Sequence, residues 1–165
     1  MDDRPLRIAV IGAGDASPKD VLCAESVGRL IGEGGGILIC GGLGGVMEAA
    51  ARGCTRAGGS TIGILPGREA AAANTWIRLP LATAMGEGRN VLVVRSAEAV
   101  IAVGGSWGTL SEIALARKIG RPVILLGTPP AEGLDATMAD DAEQAVAWAL
   151  SEARSGREPG ETGGL

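Results

Sequence analysis

The chain has 165 residues, a formal charge of −4, 28 glycines and no histidine. The missing histidine excludes a Ser-His-Asp triad, a His-ligated metal and imidazole acid–base catalysis. No Lys/Arg run is dense enough for a nucleic-acid groove, aromatic residues make up only 2%, and no apolar stretch reaches the ~18 residues of a membrane span.

This length fits one domain with its own core, built here from Val, Ile, Leu and Ala because Phe and Tyr are absent. The start, MDDRPLR, is acidic and has no signal-peptide pattern, and Cys23, Cys40 and Cys54 lack metal-ligand spacing. These features predict a cytoplasmic protein with buried, reduced thiols.

Residues 6–11 (LRIAVI) read as a first strand, buried on both faces and ending at Gly12-Ala13-Gly14. Ser17 is the expected N-cap of a helix, with Pro18 at its first position and Asp20 reaching back from N3. That helix runs to about residue 33 and stops at the glycines 34–36. Residues 37–40 form a short apolar strand, followed by Gly41-Gly42-Leu43-Gly44-Gly45 and a helix over 46–56. A third strand spans 61–65. Residues 68–74 read as a short helix or a mobile loop, 76–79 as a short strand and 90–96 as a helix.

The strand at 98–103 runs into residues 102–113 (AVGGSWGTLSEI), a strand, a glycine turn and a helix start in succession. That helix reaches about Ile119 and stops at Gly120. A fifth long strand covers 123–126, a Pro/Gly loop covers 127–134, and Asp140 or Asp141 opens a last helix whose apolar face includes Ala142, Ala145, Val146, Ala149 and Leu150. Trp148 lies beside that face. Residues 1–153 are expected to be one domain, and 154–165 (RSGREPGETGGL) a disordered tail.

Strands alternating with helices predict an α/β fold: a Rossmann-like, doubly wound parallel sheet in three layers, α/β/α. Ligands of such sheets bind beyond the carboxyl ends of the strands, where three glycine turns fall: 12–14, 41–45 and 104–108. A glycine turn opening a helix exposes backbone N–H groups at its positive end, which suits a phosphate. An ordinary dinucleotide site is not expected. Residues 12–17 give G-x-G-x-x-S without the third glycine, and the second strand ends Ile39-Cys40-Gly41-Gly42 with no carboxylate for a ribose. The Walker P-loop is absent too.

Residues 41–47 (GGLGGVM) and 104–112 (GGSWGTLSE) together resemble the two signatures of the LOG-like group, GGGxxGxM and PGGxGTxxE, a group often labelled lysine decarboxylase-like. An arginine at the family spacing supports the match: Arg89 stands fifteen residues before Gly104, which takes the place of the proline. The resemblance covers roughly residues 6–150. It implies a homodimer or dimer of dimers that binds a small phosphorylated ligand, and a phosphoribohydrolase that releases a free base from a nucleoside 5′-monophosphate. Carried over, Glu112 polarises water or stabilises the oxocarbenium ion, and Arg89 holds the leaving base or phosphoribosyl group. Gly105, Gly108 and Thr109 contact phosphate together with Gly104 and Ser106. Gly42, Gly44, Gly45 and Met47 form the facing wall, beside Gly12 and Gly14. The decarboxylase label finds no support, since pyridoxal phosphate needs a lysine and the chain has only Lys19 and Lys118, neither in a glycine turn.

Several positions depart from the hydrolase pattern: Gly104 for proline, Ser106 for glycine, Asn90 for the lysine after the arginine, Glu48 for glycine and Ser111 for a second acid. With TIGILPG at 61–67, these look like a side branch similar to the molybdenum cofactor carrier, which binds a phosphorylated pterin without turning it over. The alternative function is therefore a non-catalytic carrier or sensor of a nucleotide or a molybdopterin-type ligand, with no required cofactor and no metal. Individual residues keep two readings. Thr109-Leu110-Ser111-Glu112 is also a capping box, which would stabilise the helix without chemistry. Glu48 is a solvated first-turn carboxylate or an inward group. Trp107 stacks on a planar ligand, packs at a dimer interface, or covers the core edge.

Overall fold

The computed structural model describes residues 3–157. Seven strands form one sheet: β1 (Arg7–Gly12), β2 (Ile37–Cys40), β3 (Ser60–Leu65), β4 (Leu79–Ala82), β5 (Ala99–Val103), β6 (Val123–Leu126) and β7 (Thr137–Ala139). Five helices alternate with them: α1 (Pro18–Glu33), α2 (Val46–Arg56), α3 (Asn90–Ser96), α4 (Trp107–Lys118) and α5 (Ala142–Ser155). The spatial order is β4-β3-β2-β1-β5-β6-β7, and every pairing is parallel. This is the expected doubly wound sheet, and its order reverses between β1 and β5.

The central strands carry apolar residues on both faces because helices cover both. Ile8, Val10, Ile101 and Val103 pack against α1, α2 and α5; Ala9, Ile11, Val100 and Ala102 pack against α3 and α4. All five residues of β5 are buried. Burying a Val or Ile side chain contributes about 1.5–3 kcal/mol, so these strands anchor the molecule.

The start of α1 follows the sequence reading. Asp20 N donates to Ser17 Oγ at 3.1 Å, and Ser17 Oγ donates to Asp20 Oδ2 at 2.8 Å. The bounds of α2 and α3 also agree, and Asp141 caps α5 by accepting from the Gln144 amide. The expected loop or helix at 68–74 contains a single 3₁₀ turn, Ala70–Ala72.

Two edge strands differ from the reading. The strand expected at 76–79 is β4, three residues later. Trp76 stands outside the sheet, where its carbonyl accepts from Thr55 Oγ1 (2.9 Å) and Thr61 Oγ1 (2.8 Å) and its ring lies under Arg56. β7 follows the Pro/Gly loop and was not expected; only three residues long, it exists by pairing with β6. Of the predicted tail, residues 154 and 155 continue α5. Arg157 is tied down by Glu98 at 2.6 Å and by the Arg4 and Pro5 carbonyls. Residues 158–165 lie outside the described part of the chain.

Candidate functional site

The turns after β1 and β5 sit side by side, because Gly12 and Val103 are register partners at the carboxyl ends of adjacent strands. The turn after β2 locks onto the first: Val46 N donates to the Ala13 carbonyl at 3.0 Å. Gly45, at φ +64, lies so close to Ala13 and Gly14 that a side chain there would collide with their backbone. Between these turns and residues 87–90 lies a pocket of about 130 Å³. The first turn of α4 faces it, with amide groups that have no partner inside the helix.

Four polar side chains in this region are buried: Arg89, Asn90, Thr109 and Glu112, and all four line the pocket. Arg89 ends a 3₁₀ turn (Gly86–Arg89) and exposes only 8% of its surface. Its guanidinium lies against Gly41, where a methyl group would strike Nη1 and the Met47 sulfur. Arg89 Nε is buried and has no hydrogen-bond partner. A buried charged donor without a partner is costly, so such a group is a natural place for an anion to complete the structure.

Glu112 sits one turn into α4 and is 7% exposed. Burial pushes its carboxyl up to about 7, and the Glu87 charge adds to the rise while Arg89 opposes it. Near neutral pH the group is therefore divided between a carboxylate and a neutral acid that can donate a hydrogen bond. Cys40, buried behind the site, has its thiol pushed to about 12 by burial and is an inert packing residue.

The capping reading of Glu112 is overturned. Ser106, not Thr109, is the N-cap of α4, and Thr109 Oγ1 accepts from the Ser106 amide at 3.3 Å. Glu112 lies beyond the cap and turns inward.

Of the residues singled out from sequence, the pocket brings together Gly12, Gly14, Met47, Arg89, Ser106, Gly108, Thr109 and Glu112. Gly42, Gly44, Gly45, Gly104 and Gly105 are not in its lining. Gly42 packs on Leu65 and Gly63, and Gly44 approaches Gly14. Gly104 has φ +54, a conformation closed to proline, and a side chain there would press on the Asp20 carboxylate. The proline of the LOG-like signature therefore has no place in this turn. Glu48 is outside the lining, and its charge acts on Arg52 one turn along. Trp107 is 86% exposed, which removes its core-covering reading. Sequence reasoning missed Glu87, Asn90 and Gly41 as lining residues. Asn90 was legible only as a departure, and Glu87 only by its place on the turn of Arg89. A larger groove of about 310 Å³ at the amino ends of β6 and β7 is lined by Arg117, Arg121 and Trp148, at the opposite end of these strands from the glycine turns.

A doubly wound parallel sheet in three layers, with a small polar pocket at its switch point, defines a Rossmann-like α/β/α protein. Residues 5–154 match the SLOG cluster4 family, and the chain belongs to that family. An uncharacterised protein of Archaeoglobus fulgidus is 44% identical over 147 residues, 88% of this chain and 95% of its own length. The molybdenum cofactor binding protein of the phototrophic bacterium Rippkaea orientalis has a similar structure, with TM-score 0.85, 35% identity, and coverage of 91% of this chain and 98% of that one. The molybdenum cofactor carrier protein of Chlamydomonas reinhardtii is also similar, with TM-score 0.79, 34% identity, and coverage of 90% and 99%. Among the described residues no helix is long and apolar enough to cross a membrane.

Proposed function

We propose that the chain binds a phosphorylated pterin of the molybdenum cofactor type and holds it without turnover. The observation that carries this reading is the buried Arg89, which lines a pocket beside the α4 N-terminus and keeps an unpartnered Nε. A phosphate there receives fixed donors from Arg89 and from the free amides of α4. The likeness to two proteins described as binding or carrying the molybdenum cofactor supports the pterin over other phosphorylated ligands. Ser106, Gly108 and Thr109 supply the phosphate seat, Gly12, Gly14 and Met47 the facing wall, and Asn90 further polar contacts. Gly42, Gly44, Gly45, Gly104 and Gly105 act one step back, by shaping the turns.

Glu112 and Glu87 make the site selective. Two full carboxylates would repel a phosphate, so a neutral Glu112 donates to the ligand while its ionised form weakens binding. Ligand affinity therefore falls as pH rises through about 7. No group of three His, Cys, Asp or Glu residues among those described is placed to hold a metal.

A second reading has one observation in its favour: Glu112 and Arg89 do share the pocket, as hydrolysis of a nucleoside 5′-monophosphate would require. One experiment separates the two. Calorimetry and thermal shift with the isolated molybdenum cofactor and with a panel of nucleoside 5′-monophosphates are read beside chromatography for released base. Tight cofactor binding with no base release is the expected result. Base release that disappears in Glu112→Gln overturns it in favour of the hydrolase.

A further inference from the structure

The groove at the amino ends of β6 and β7 lies at the far end of the sheet from the glycine turns and takes no part in the phosphate site. Its volume of about 310 Å³ falls at the lower end of the range for sites that enclose one small molecule, roughly 300–1,000 Å³. Arg117 comes from the last turn of α4, Arg121 from the turn into β6, and Trp148 and Glu152 from α5, so three parts of the chain close on one space. Ile113 and Val123 add aliphatic surface. Trp148 also packs against the core, which holds its ring in place. The charges are only partly paired. Arg121 Nη2 donates to the Arg95 carbonyl at 3.3 Å, whereas Arg121 Nε is buried without a partner. A guanidinium carries five donors, so this one is anchored with most of its hydrogen bonds unmade inside the protein. Arg117 reaches Asp135, a fully exposed carboxylate, at 3.9 Å. Among the described residues the Glu152 carboxylate has no ion pair or hydrogen bond, although two arginines line the same groove.

A bare anion in this groove meets Glu152 and the negative carboxyl end of α4, and a bare cation meets two guanidiniums. A ligand that carries both signs on an apolar body avoids both penalties. We propose that the groove binds a free amino acid with an apolar or aromatic side chain. Its carboxylate pairs with Arg117 and Arg121, its ammonium faces Glu152 and the end of α4, and its side chain lies against Trp148, Ile113 and Val123. A carboxylate matches the guanidinium fork in both shape and charge.

The test reads calorimetry on the natural chain, and fluorescence on the full chain with Trp76→Phe and Trp107→Phe, which leaves Trp148 as the sole indole. L-phenylalanine is titrated beside phenethylamine, which lacks the carboxylate, 3-phenylpropanoate, which lacks the ammonium, and inorganic phosphate. Saturable binding of L-phenylalanine is expected, with each of the other three at least about tenfold weaker. Arg121→Met and Arg117→Met, each checked for fold by circular dichroism, should weaken L-phenylalanine about tenfold or more. Glu152→Gln should weaken L-phenylalanine and tighten 3-phenylpropanoate, a reversal that a purely structural role does not produce. No saturable response to L-phenylalanine or L-leucine up to about 10 mM overturns the proposal. Equal affinity of the natural chain for 3-phenylpropanoate and L-phenylalanine also overturns it and leaves a plain anion site. Self-association in sedimentation that Arg117→Met abolishes overturns it too, since the groove is then an interface between copies. None of these outcomes touches the phosphate pocket, because the groove lies at the other end of the sheet.

Discussion

The turns after β2 and after β5 look alike in sequence, GGLGG and GGSWG, yet the fold uses them differently. In the first, the glycines exist for close approach: Gly41 under the Arg89 guanidinium, Gly42 on Gly63 and Gly45 against Ala13 and Gly14. In the second, Gly104 and Gly105 take positive φ to turn the chain, after which Ser106, Gly108 and Thr109 open onto the pocket. A side chain at Gly108 would meet nothing within 4 Å. One turn is a packing device that holds the cation in place, and the other presents a helix N-terminus. Glycine content alone does not separate the two uses.

The contrast can be broken at several points. Gly45→Ala should have the largest effect, about 4 kcal/mol of lost stability in denaturant titration, from the left-handed backbone and the overlap with Ala13 and Gly14. An effect under about 1 kcal/mol would show that this turn is loose. Glu112→Gln sharpens the pocket side. The folded carboxyl holds its proton up to about 7, whereas an unfolded one releases it near 4.5. The folded state therefore binds more protons between those values, so this residue's contribution to stability falls as pH rises from about 4.5 to 7 and is flat above. The natural chain should lose roughly 3 kcal/mol relative to Glu112→Gln across that window. Parallel stability–pH curves for the two would show that Glu112 is not buried as described.

Arg89→Met should weaken phosphate-ligand binding by at least about 30-fold in calorimetry while the fold persists, because the lost group is the buried guanidinium at the pocket. Gly108→Ala should change stability by about 1 kcal/mol at most, in the favourable direction for a helix, yet weaken ligand binding by placing a methyl group in the seat. The pair Gly45→Ala and Gly108→Ala thus tests the division directly: stability falls in one, binding in the other. Glu48→Gln should be the smallest change, less than about twofold in affinity, since Glu48 lies outside the pocket lining.

Much of the scaffold was legible because its signals are local. Ser17-Pro18 and Asp141 start helices through side-chain geometry within one turn, and the runs 37–40 and 123–126 are too apolar and too short to be anything but buried strands. The edge strands were less legible. β4 is mostly exposed and contains Pro80, and β7 has three residues, so neither carries an apolar pattern of its own. In the pocket, Arg89, Thr109 and Glu112 were marked by the resemblance to the LOG-like signatures. Glu87 and Asn90 came to line the pocket only through the path of the 3₁₀ turn that brings Arg89 against Gly41.

The sequence by itself determined the alternation of strands and helices and the three glycine turns at one end of the sheet, which follow from hydrophobic period and turn chemistry written within a few residues; the arginine and the glutamate were marked by the LOG-like signatures. Only the tertiary structure decided that Ser106 caps α4, that Glu112 is buried toward Arg89, and that Gly104 adopts a conformation closed to proline. It also left Trp107 exposed and Glu48 outside the pocket. These outcomes depend on which backbone lies across from which, and on how much water each charge loses, quantities that arise only when β1, β2 and β5 lie side by side.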